Sequence, residues 1–147
     1  GPKLIEYNVR FGDPECQVMM RRMQSDVMDI FIAAEAGELA DLTPPAWFND
    51  PVVNVVLAAK GYPGSYEKGS VIGGVLDAED MPGVKIFQAG TARNETGALV
   101  AAGGRVLNVT AQGETIKEAV ELAYKAIDEK IIWPEGFCRR DIAHHAL

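Results

Sequence analysis

Three polar residues near the start of the chain have side chains that could bind a cation and an anion. Glu6, Asn8 and Arg10 follow one another at intervals of two. The residues beside them are apolar: Ile5, Tyr7, Val9 and Phe11. Because side chains alternate between the two faces of a strand, this spacing predicts a strand with one polar and one apolar face.

The polar face allows two interpretations. In the first, Glu6, Asn8 and Arg10 face solvent, as one side of a half-buried strand normally does. In the second, the carboxylate and the amide oxygen bind a hard cation while the guanidinium binds an anion. Mg²⁺ takes few protein ligands, often one or two carboxylates with phosphate oxygens, so the three residues suit a nucleotide phosphate site. The spacing alone leaves both interpretations open.

The residues that follow predict the start of a helix. Gly12 ends the alternating pattern, and Asp13-Pro14-Glu15 places an N-cap residue, a proline at the first helical position and an acid in the first turn. We expect a helix over about residues 14–23. Asp13 and Glu15 either serve only this helix terminus or have a functional role.

Composition bounds the kind of protein. The chain has 147 residues, 48% apolar, and a formal charge of −7, which suits one domain or a piece of a larger protein with a complete small domain. Its scattered Lys and Arg argue against a nucleic-acid partner. Cys16 and Cys138 lack metal-ligand spacing, so we expect reduced thiols. The sequence contains neither a membrane-length apolar run nor a signal-peptide pattern, so we expect a soluble cytoplasmic protein.

The elements that must position these residues follow from periodicity and turn signals. A second helix is expected from a cap at Ser25 or Asp26 to a stop at Gly37, with an apolar face that packs on a core. A proline-rich connection follows, and we place a boundary between residues 1–43 and residues 44–147. Strands are expected at residues 52–59, 71–75, 84–88, 99–102 and 103–110, with a hairpin turn at residues 94–97. Thr115 and Glu118 form a capping box for a last helix. The predicted class is α+β, with a mainly antiparallel sheet and a flanking helix.

Several loop residues have open roles. The loop at residues 61–69 either packs its two tyrosines on the body or faces a substrate with Lys68 near an anion. Gly103-Gly104 precedes a strand and predicts a tight turn or bulge, not a phosphate loop. Arg139-Arg140-Asp141 is either a surface ion pair or an anion contact. His144 and His145 are adjacent, so we expect them to point apart on the surface.

These motifs together resemble a known family. Residues 1–17 resemble the signature of the glycinamide ribonucleotide synthetase (phosphoribosylamine–glycine ligase) family, above all in Gly12-Asp13-Pro14-Glu15. The likeness covers essentially the whole chain and continues through residues 60–64, Tyr66 with Lys68-Gly69, residues 89–91, residues 103–107, residues 109–111 and residues 139–142. Two positions depart from the family pattern: Gln88 stands where His is usual, and Ala143 where Gly is usual.

The resemblance implies an ATP-grasp ligase of de novo purine synthesis. Such an enzyme joins glycine to 5-phosphoribosylamine and cleaves ATP to ADP and phosphate through glycyl phosphate. Residues 1–43 would be the last strand and helices of the ATP-grasp domain. Residues 44–147 would be the family's C-terminal domain, related to the rudimentary hybrid motif.

The resemblance also assigns roles to the first polar residues. Glu6 and Asn8 would bind Mg²⁺ or Mn²⁺, and Asn8 and Arg10 would contact the nucleotide. Arg10 would steady the reacting phosphate, and Asp13 and Glu15 would orient the amine substrate. This chemistry depends on positioning and charge neutralisation, which a cation, carboxylates and an arginine supply.

The family's lid, its amino-terminal domain and a further acidic metal ligand lie upstream of the residues that match. We therefore expect this chain to be a fragment that is inactive alone and that works with the remaining amino-terminal portion of the same polypeptide. The alternatives are another ATP-grasp enzyme and a non-catalytic binding module. The roles of Lys68, Arg105 and Arg139 stay open between structure and substrate contact.

Overall fold

Two long strands form the centre of the structure, because each carries a nearly continuous apolar run. The computed structural model describes residues 1–7 and 9–147. The elements in chain order are α1 (Glu15–Arg22), α2 (Val27–Ala36), β1 (Val52–Ala59), α3 (Val75–Glu79), β2 (Val84–Gln88), β3 (Thr91–Arg93), β4 (Leu99–Ala101), β5 (Arg105–Gln112), α4 (Ile116–Glu129), β6 (Gly136–Phe137) and a final 3₁₀ turn (His144–Ala146). The chain thus combines helices with antiparallel sheets, as the sequence predicted.

The main sheet has the strand order β2-β5-β1-β6, and all of its pairs are antiparallel. Leu57 of β1 lies opposite Leu107 of β5, whereas the next residue, Ala58, lies opposite Arg105. Val106 is therefore an extra residue at a bulge. The bulge places Arg105 on the face of Ala58, which is opposite to the face of Leu57.

Helix α4 covers one face of this sheet. Its capping box is confirmed: the Thr115 hydroxyl accepts from the Glu118 amide, and the Glu118 carboxylate accepts from the Thr115 amide, both at 3.2 Å. The buried face of α4 joins alternate residues of the strands in one apolar cluster. Its members include Val53, Val55, Leu57, Val109, Ala111, Ala119, Val120, Ala123, Ala126 and Ile127. This cluster is the core that supports both long strands.

The opposite face of the sheet is polar in its centre. Asn54 interrupts the apolar run of β1, and its Nδ2 donates to Oδ1 of Asn108 at 3.1 Å. Thr110 donates its hydroxyl proton to the carbonyl of Lys85 at 2.8 Å. Asn108 and Thr110 are buried, and α1 approaches β1 and β5. Because buried polar groups need hydrogen-bond partners, these contacts explain how polar residues are tolerated within two central strands.

The second sheet is a hairpin of β3 and β4. Its predicted turn at residues 94–97 is confirmed. Oδ1 of Asn94 accepts from the amides of Thr96 (3.1 Å) and Ala98 (2.9 Å). Strand β3 was not expected, because its three residues are too few to give a periodic signal.

The predicted strand at residues 71–75 is wrong. Val71 and Gly73 form isolated bridges with Val100 and Ile132, and the chain then enters the short helix α3. Gly74 has a φ of 73°. This left-handed conformation, which glycine adopts without steric cost, turns the chain out of an extended path.

The predicted first strand is also wrong for the described residues. Residues 1–7 form neither helix nor strand, and Ile5, Tyr7 and Val9 are 95%, 80% and 92% exposed. A strand is stable only when its backbone pairs with a neighbour. The described residues supply no strand that pairs with this segment.

The second helix begins and ends as predicted. The Asp26 carboxylate accepts from the Met28 amide at 2.9 Å, and Gly37 closes the helix with a φ of 75°. The predicted core packing of α2 is wrong, because only Ala33 is buried while Phe31 and Ile32 are 46% and 62% exposed. Among the described residues, no helix combines the length and apolarity that a bilayer crossing requires.

Candidate functional site

The candidate site begins at a tight turn of residues 12–15, here called the acidic turn. The Cys16 amide donates to the Gly12 carbonyl at 2.9 Å, which closes the turn ahead of α1. The Glu15 side chain lies back over Gly12, so a Cβ at position 12 would collide with the Glu15 carboxylate. A side chain at position 12 would therefore displace the Glu15 carboxylate from this placement.

Asp13 does not cap α1 as predicted. The N-cap is Pro14, and no side chain accepts from the first helical amides. Asp13 instead makes contacts on two sides: its Oδ2 lies 3.0 Å from Nη2 of Arg105, and its Oδ1 accepts from Nε2 of Gln17 at 3.3 Å. Nη1 of Arg105 also donates to the Asp13 carbonyl at 3.3 Å. The acidic turn is thereby joined to β5.

Arg10 lies next to an apolar surface. Its Nη1 donates to the carbonyl of Phe11 at 2.8 Å, and the rings of Phe11 and Phe31 are 6.3 Å apart. Val9, Arg10, Phe11 and Phe31 line a shallow cleft of about 520 Å³. Arg10, which the resemblance predicts to bind phosphate, thus lies beside Phe31 on the exposed side of α2.

The predicted metal ligands are only partly within the structure. Glu6 is exposed, and Asn8 lies outside the described residues. Residues 1–7 and 9–147 contain no group of three or more His, Cys, Asp or Glu that could hold a metal ion. A carboxylate and an amide oxygen are nevertheless donors that suit Mg²⁺, which takes its other ligands from water and phosphate.

A groove lies beside Arg105 on the polar face of the sheet. Its volume is about 310 Å³. Its walls are mainly apolar and include Val56, Ala58, Tyr62, Phe137 and Arg139.

Arg139 is held by Asp141, with Nη2 to Oδ2 at 2.6 Å. Hydrogen bonding and charge from Arg139 lower the pKa of the Asp141 carboxyl. The surface ion pair, one of the two interpretations of this motif, is therefore present.

The loop of residues 61–69 packs on the body through its tyrosines, as one interpretation predicted. The rings of Tyr62 and Tyr66 are 6.3 Å apart, and both lie against the backbone of Gly104. Lys68 is exposed.

Two glycine motifs of the resemblance have a structural role that the sequence did not reveal. A Cβ on Gly90 would lie 2.7 Å from Cα of Gly103 and from the carbonyl oxygen of Arg105. The Gly103 amide donates to the Gly90 carbonyl at 3.0 Å. The two segments therefore cross backbone to backbone ahead of β5, which confirms a turn at Gly103-Gly104. A glycine in each of two distant motifs is the signal that could have suggested this crossing.

Gln88 and Ala143, the two positions where the resemblance led us to expect other residues, are a hydrogen-bonded and a strained position. Gln88 accepts from the Thr91 hydroxyl at 3.0 Å, so a polar side chain is used there. Ala143 adopts a φ of 63°, the left-handed region where glycine is favoured.

The carboxyl-terminal residues lie against α4. Arg140 binds Asp128 with two contacts of 2.9 and 2.7 Å. Burial raises the pKa of the nearby Cys138 thiol, and the charge of Arg140 opposes that shift.

His144 and His145 are exposed as predicted, but they do not point apart: their ring centroids are 3.8 Å from each other.

Arg105 is the residue of this site that sequence reasoning left without a role. It lies 92 positions from Asp13 in the chain. Neither residue has a local pattern that points to the other.

Comparison with known proteins identifies the family and several relatives of this chain. Residues 52–145 match the family described as "Phosphoribosylglycinamide synthetase, C domain". A phosphoribosylamine–glycine ligase of Mesorhizobium japonicum is 58% identical over 147 residues, which are 100% of this chain and 34% of the relative. The chloroplastic phosphoribosylamine–glycine ligase of Arabidopsis thaliana is 54% identical over 99% of this chain and 27% of its own length.

A solved structure of a phosphoribosylamine–glycine ligase is also similar to this chain. The crystal structure of the phosphoribosylamine–glycine ligase of Thermotoga maritima superimposes with a TM-score of 0.71 and 38% sequence identity, over 97% of this chain and 34% of that chain. The chain thus spans about a third of the length of the curated relatives it matches. The family match covers more than half of the chain and includes the central sheet and α4. The chain belongs to the phosphoribosylglycinamide synthetase C domain family.

Proposed function

We propose that this chain is part of a phosphoribosylamine–glycine ligase. The enzyme would be an ATP-grasp ligase that joins glycine to 5-phosphoribosylamine in de novo purine synthesis and releases ADP and phosphate. The observation that carries the proposal is the 58% identity to such a ligase over the whole chain, residues 1–17 included. The proposed enzyme is cytoplasmic and acts without a nucleic-acid or membrane partner.

The proposed domain boundary lies near residue 43. Residues 1–43 would end the ATP-grasp domain, and residues 44–147 would form a C-terminal domain of the rudimentary hybrid motif type. The start of the family match at residue 52 supports this division. The small buried surface of α2 supports it too, since α2 contributes only Ala33 to the buried residues.

The proposed chemistry has two steps. The glycine carboxylate attacks the terminal phosphorus of ATP, which gives glycyl phosphate and ADP. The amine of phosphoribosylamine then attacks the glycyl carbonyl carbon, phosphate leaves, and the nitrogen loses a proton. Arg10 would steady the phosphoryl group through its guanidinium, which matches phosphate oxygens in geometry and charge. Asp13 and Glu15 would orient the amine.

Glu6 and Asn8 would hold Mg²⁺ or Mn²⁺ in this enzyme. When bound, the ion supplies neutralisation of negative charge on the nucleotide phosphates. The donor set fits the ion, because a carboxylate and an amide oxygen are hard ligands.

A titration tests the metal assignment. In the full-length ligase, Glu6→Ala combined with Asn8→Ala should weaken binding of the magnesium nucleotide at least about tenfold, because charge neutralisation and positioning are lost. Isothermal titration calorimetry measures the affinity, and Glu114→Ala, which removes an exposed carboxylate from a distant turn, is the control. Unchanged nucleotide binding and activity in the double variant would refute the assignment.

The remaining part of the ligase polypeptide is the proposed partner of this chain. The full-length protein should release phosphate only when ATP, glycine and phosphoribosylamine are all present. The 147-residue chain alone should release none. Turnover by the isolated chain, or none by the full-length protein, contradicts the proposal.

A further inference from the structure

We infer that Arg105 is a positioning residue that holds the acidic turn so that Glu15, and not Asp13, is the acid that faces the amine substrate. The inference rests on the proposed ligase function and deepens it, because it divides the roles of two acids that the family signature places side by side.

Arg105 is well placed to hold the turn. It stands at the start of β5, where the bulge at Val106 directs it to the face that α1 approaches. One guanidinium contacts Asp13 twice: Nη2 lies 3.0 Å from the side-chain Oδ2, and Nη1 donates to the main-chain carbonyl. Contact with both side chain and main chain fixes the backbone of the turn as well as the carboxylate.

Asp13 is already engaged on both carboxylate oxygens. Arg105 binds Oδ2, and Gln17 donates to Oδ1 from the first turns of α1. An amine substrate would have to compete with a fixed charge for this carboxylate. Asp13 therefore links the sheet, the turn and α1.

Glu15 differs from Asp13 in the contacts of its carboxylate. Its side chain is exposed and lies over Gly12. Within residues 1–7 and 9–147, its carboxylate makes no hydrogen bond or ion pair with another group. An exposed carboxylate without a partner among these residues can accept hydrogen bonds from an incoming amine, and the turn sets the position of the backbone that carries it.

The proposed reaction requires the amine to be oriented toward the acyl phosphate. The amine must meet the acyl phosphate before water does, and orientation of the reacting groups is a large part of such catalysis. A side chain that orients a substrate needs support from residues that do not themselves contact it. Arg105, acting through Asp13, supplies this support from the start of a central strand of the sheet.

A mutant cycle in the full-length ligase tests the inference. Arg105→Ala and Asp13→Asn should each lower kcat/KM for phosphoribosylamine about tenfold or more, and the double variant should be no worse than either single variant. The KM for ATP should stay unchanged. Arg105→Lys should recover part of the loss, because lysine restores the charge but not the two-pronged contact. The control is Arg140→Ala, which breaks an arginine–aspartate pair of similar exposure away from the turn.

Glu15→Gln tests the other half of the inference. It should lower kcat/KM for phosphoribosylamine about a hundredfold, more than the loss from Asp13→Asn. A Glu15→Gln enzyme with wild-type activity overturns the assignment of Glu15. A double variant whose loss is the product of the two single losses overturns the positioning role, because Arg105 would then act independently of Asp13.

Hydrogen exchange separates failure of this inference from failure of the proposed function. The Cys16 amide, which closes the turn onto Gly12, should exchange about fivefold faster or more in Arg105→Ala than in wild type. Amides of α4 should not change. This measurement needs no turnover, so it still applies if the wild-type protein proves to have a different activity. Equal exchange of the Cys16 amide in the two proteins overturns the positioning role.

Discussion

Ala143 shows how a single residue can adopt a strained backbone conformation. Its φ of 63° lies in the left-handed region, in which the Cβ of a non-glycine residue costs about 1–2 kcal/mol. The conformation starts the final 3₁₀ turn, closed by the Ala146 amide on the Ala143 carbonyl at 2.8 Å.

Ala143→Gly should stabilise the chain. Relief of the strain exceeds the extra entropy of glycine in the unfolded chain, so we expect a gain of about 0.5–1 kcal/mol and a Tm higher by about 2–4 °C. Thermal unfolding followed by circular dichroism measures it. Ala146→Gly, three residues later, is the control and should lower the Tm. Equal effects of the two substitutions would show that the backbone at Ala143 is not strained.

At the scale of elements, strength of pattern decided which predictions were correct. β1 and β5 carry long, nearly continuous apolar runs, and α4 is long and periodic. β1 spans the residues predicted, whereas β5 spans Arg105–Gln112 and so begins and ends two residues later than predicted. β3 has three residues and α3 has five, so neither gives a clear period. The strand expected at residues 71–75 was wrong because a glycine conformation outweighed the β-propensity of its valines.

The Tyr124 hydroxyl is one of the groups that attach the carboxyl-terminal segment to α4. Tyr124 of α4 donates its hydroxyl proton to the Arg139 carbonyl at 2.8 Å and accepts from the Ile142 amide at 3.3 Å. Its ring also lies 5.3 Å from the Arg140 guanidinium. The carboxyl-terminal segment is thus attached to the helix beside it.

Tyr124→Phe should loosen this segment without moving α4. The phenylalanine keeps the ring for Arg140 but leaves two backbone groups without their partner, at a cost of about 1–2 kcal/mol in the free energy of unfolding. Urea denaturation measures the loss, and faster exchange of the Ile142 amide locates it. Tyr7→Phe, at a residue that is 80% exposed, should change neither. Wild-type exchange at Ile142 would contradict the attachment.

At the scale of the molecule, one part of the chain encloses the apolar core, whereas the described residues before it bury only Ala33. Residues 52–145 contain the sheet and its core, whereas the first residues and α2 leave Ile5, Val9 and Ile32 more than half exposed. This contrast agrees with a chain that spans about a third of its relatives. The exposed apolar side chains are the surface that we expect the rest of the proposed ligase to cover.

Ile32→Gln should therefore have different effects in two proteins. In the isolated chain, where Ile32 is 62% exposed, the free energy of unfolding should change by no more than about 0.5 kcal/mol. In the full-length ligase we expect the free energy of unfolding to fall by about 2 kcal/mol, because a buried isoleucine would be replaced by a polar group. Parallel denaturation curves measure both. Glu35→Gln, on the same helix, is the control, and an equal effect of Ile32→Gln in the two proteins would exclude burial at this position.

The sequence by itself determined the class of fold, the long strands, the capped helix α4, the hairpin turn and the family to which the chain belongs. These features depend on periodicity and turn chemistry over a few neighbouring residues, which can be read locally. For the candidate site, the sequence singled out Glu6, Asn8, Arg10, Asp13 and Glu15, whose roles stay predictions.

Only the tertiary structure decided how part of that site is supported. The sequence predicted Asp13 as a helix cap, but the structure pairs it with Arg105, 92 residues away. That pairing depends on the register of β1 with β5 and on the bulge that turns Arg105 toward α1. Contacts between distant residues result from the packing of whole elements against each other, and no local pattern in the chain encodes them.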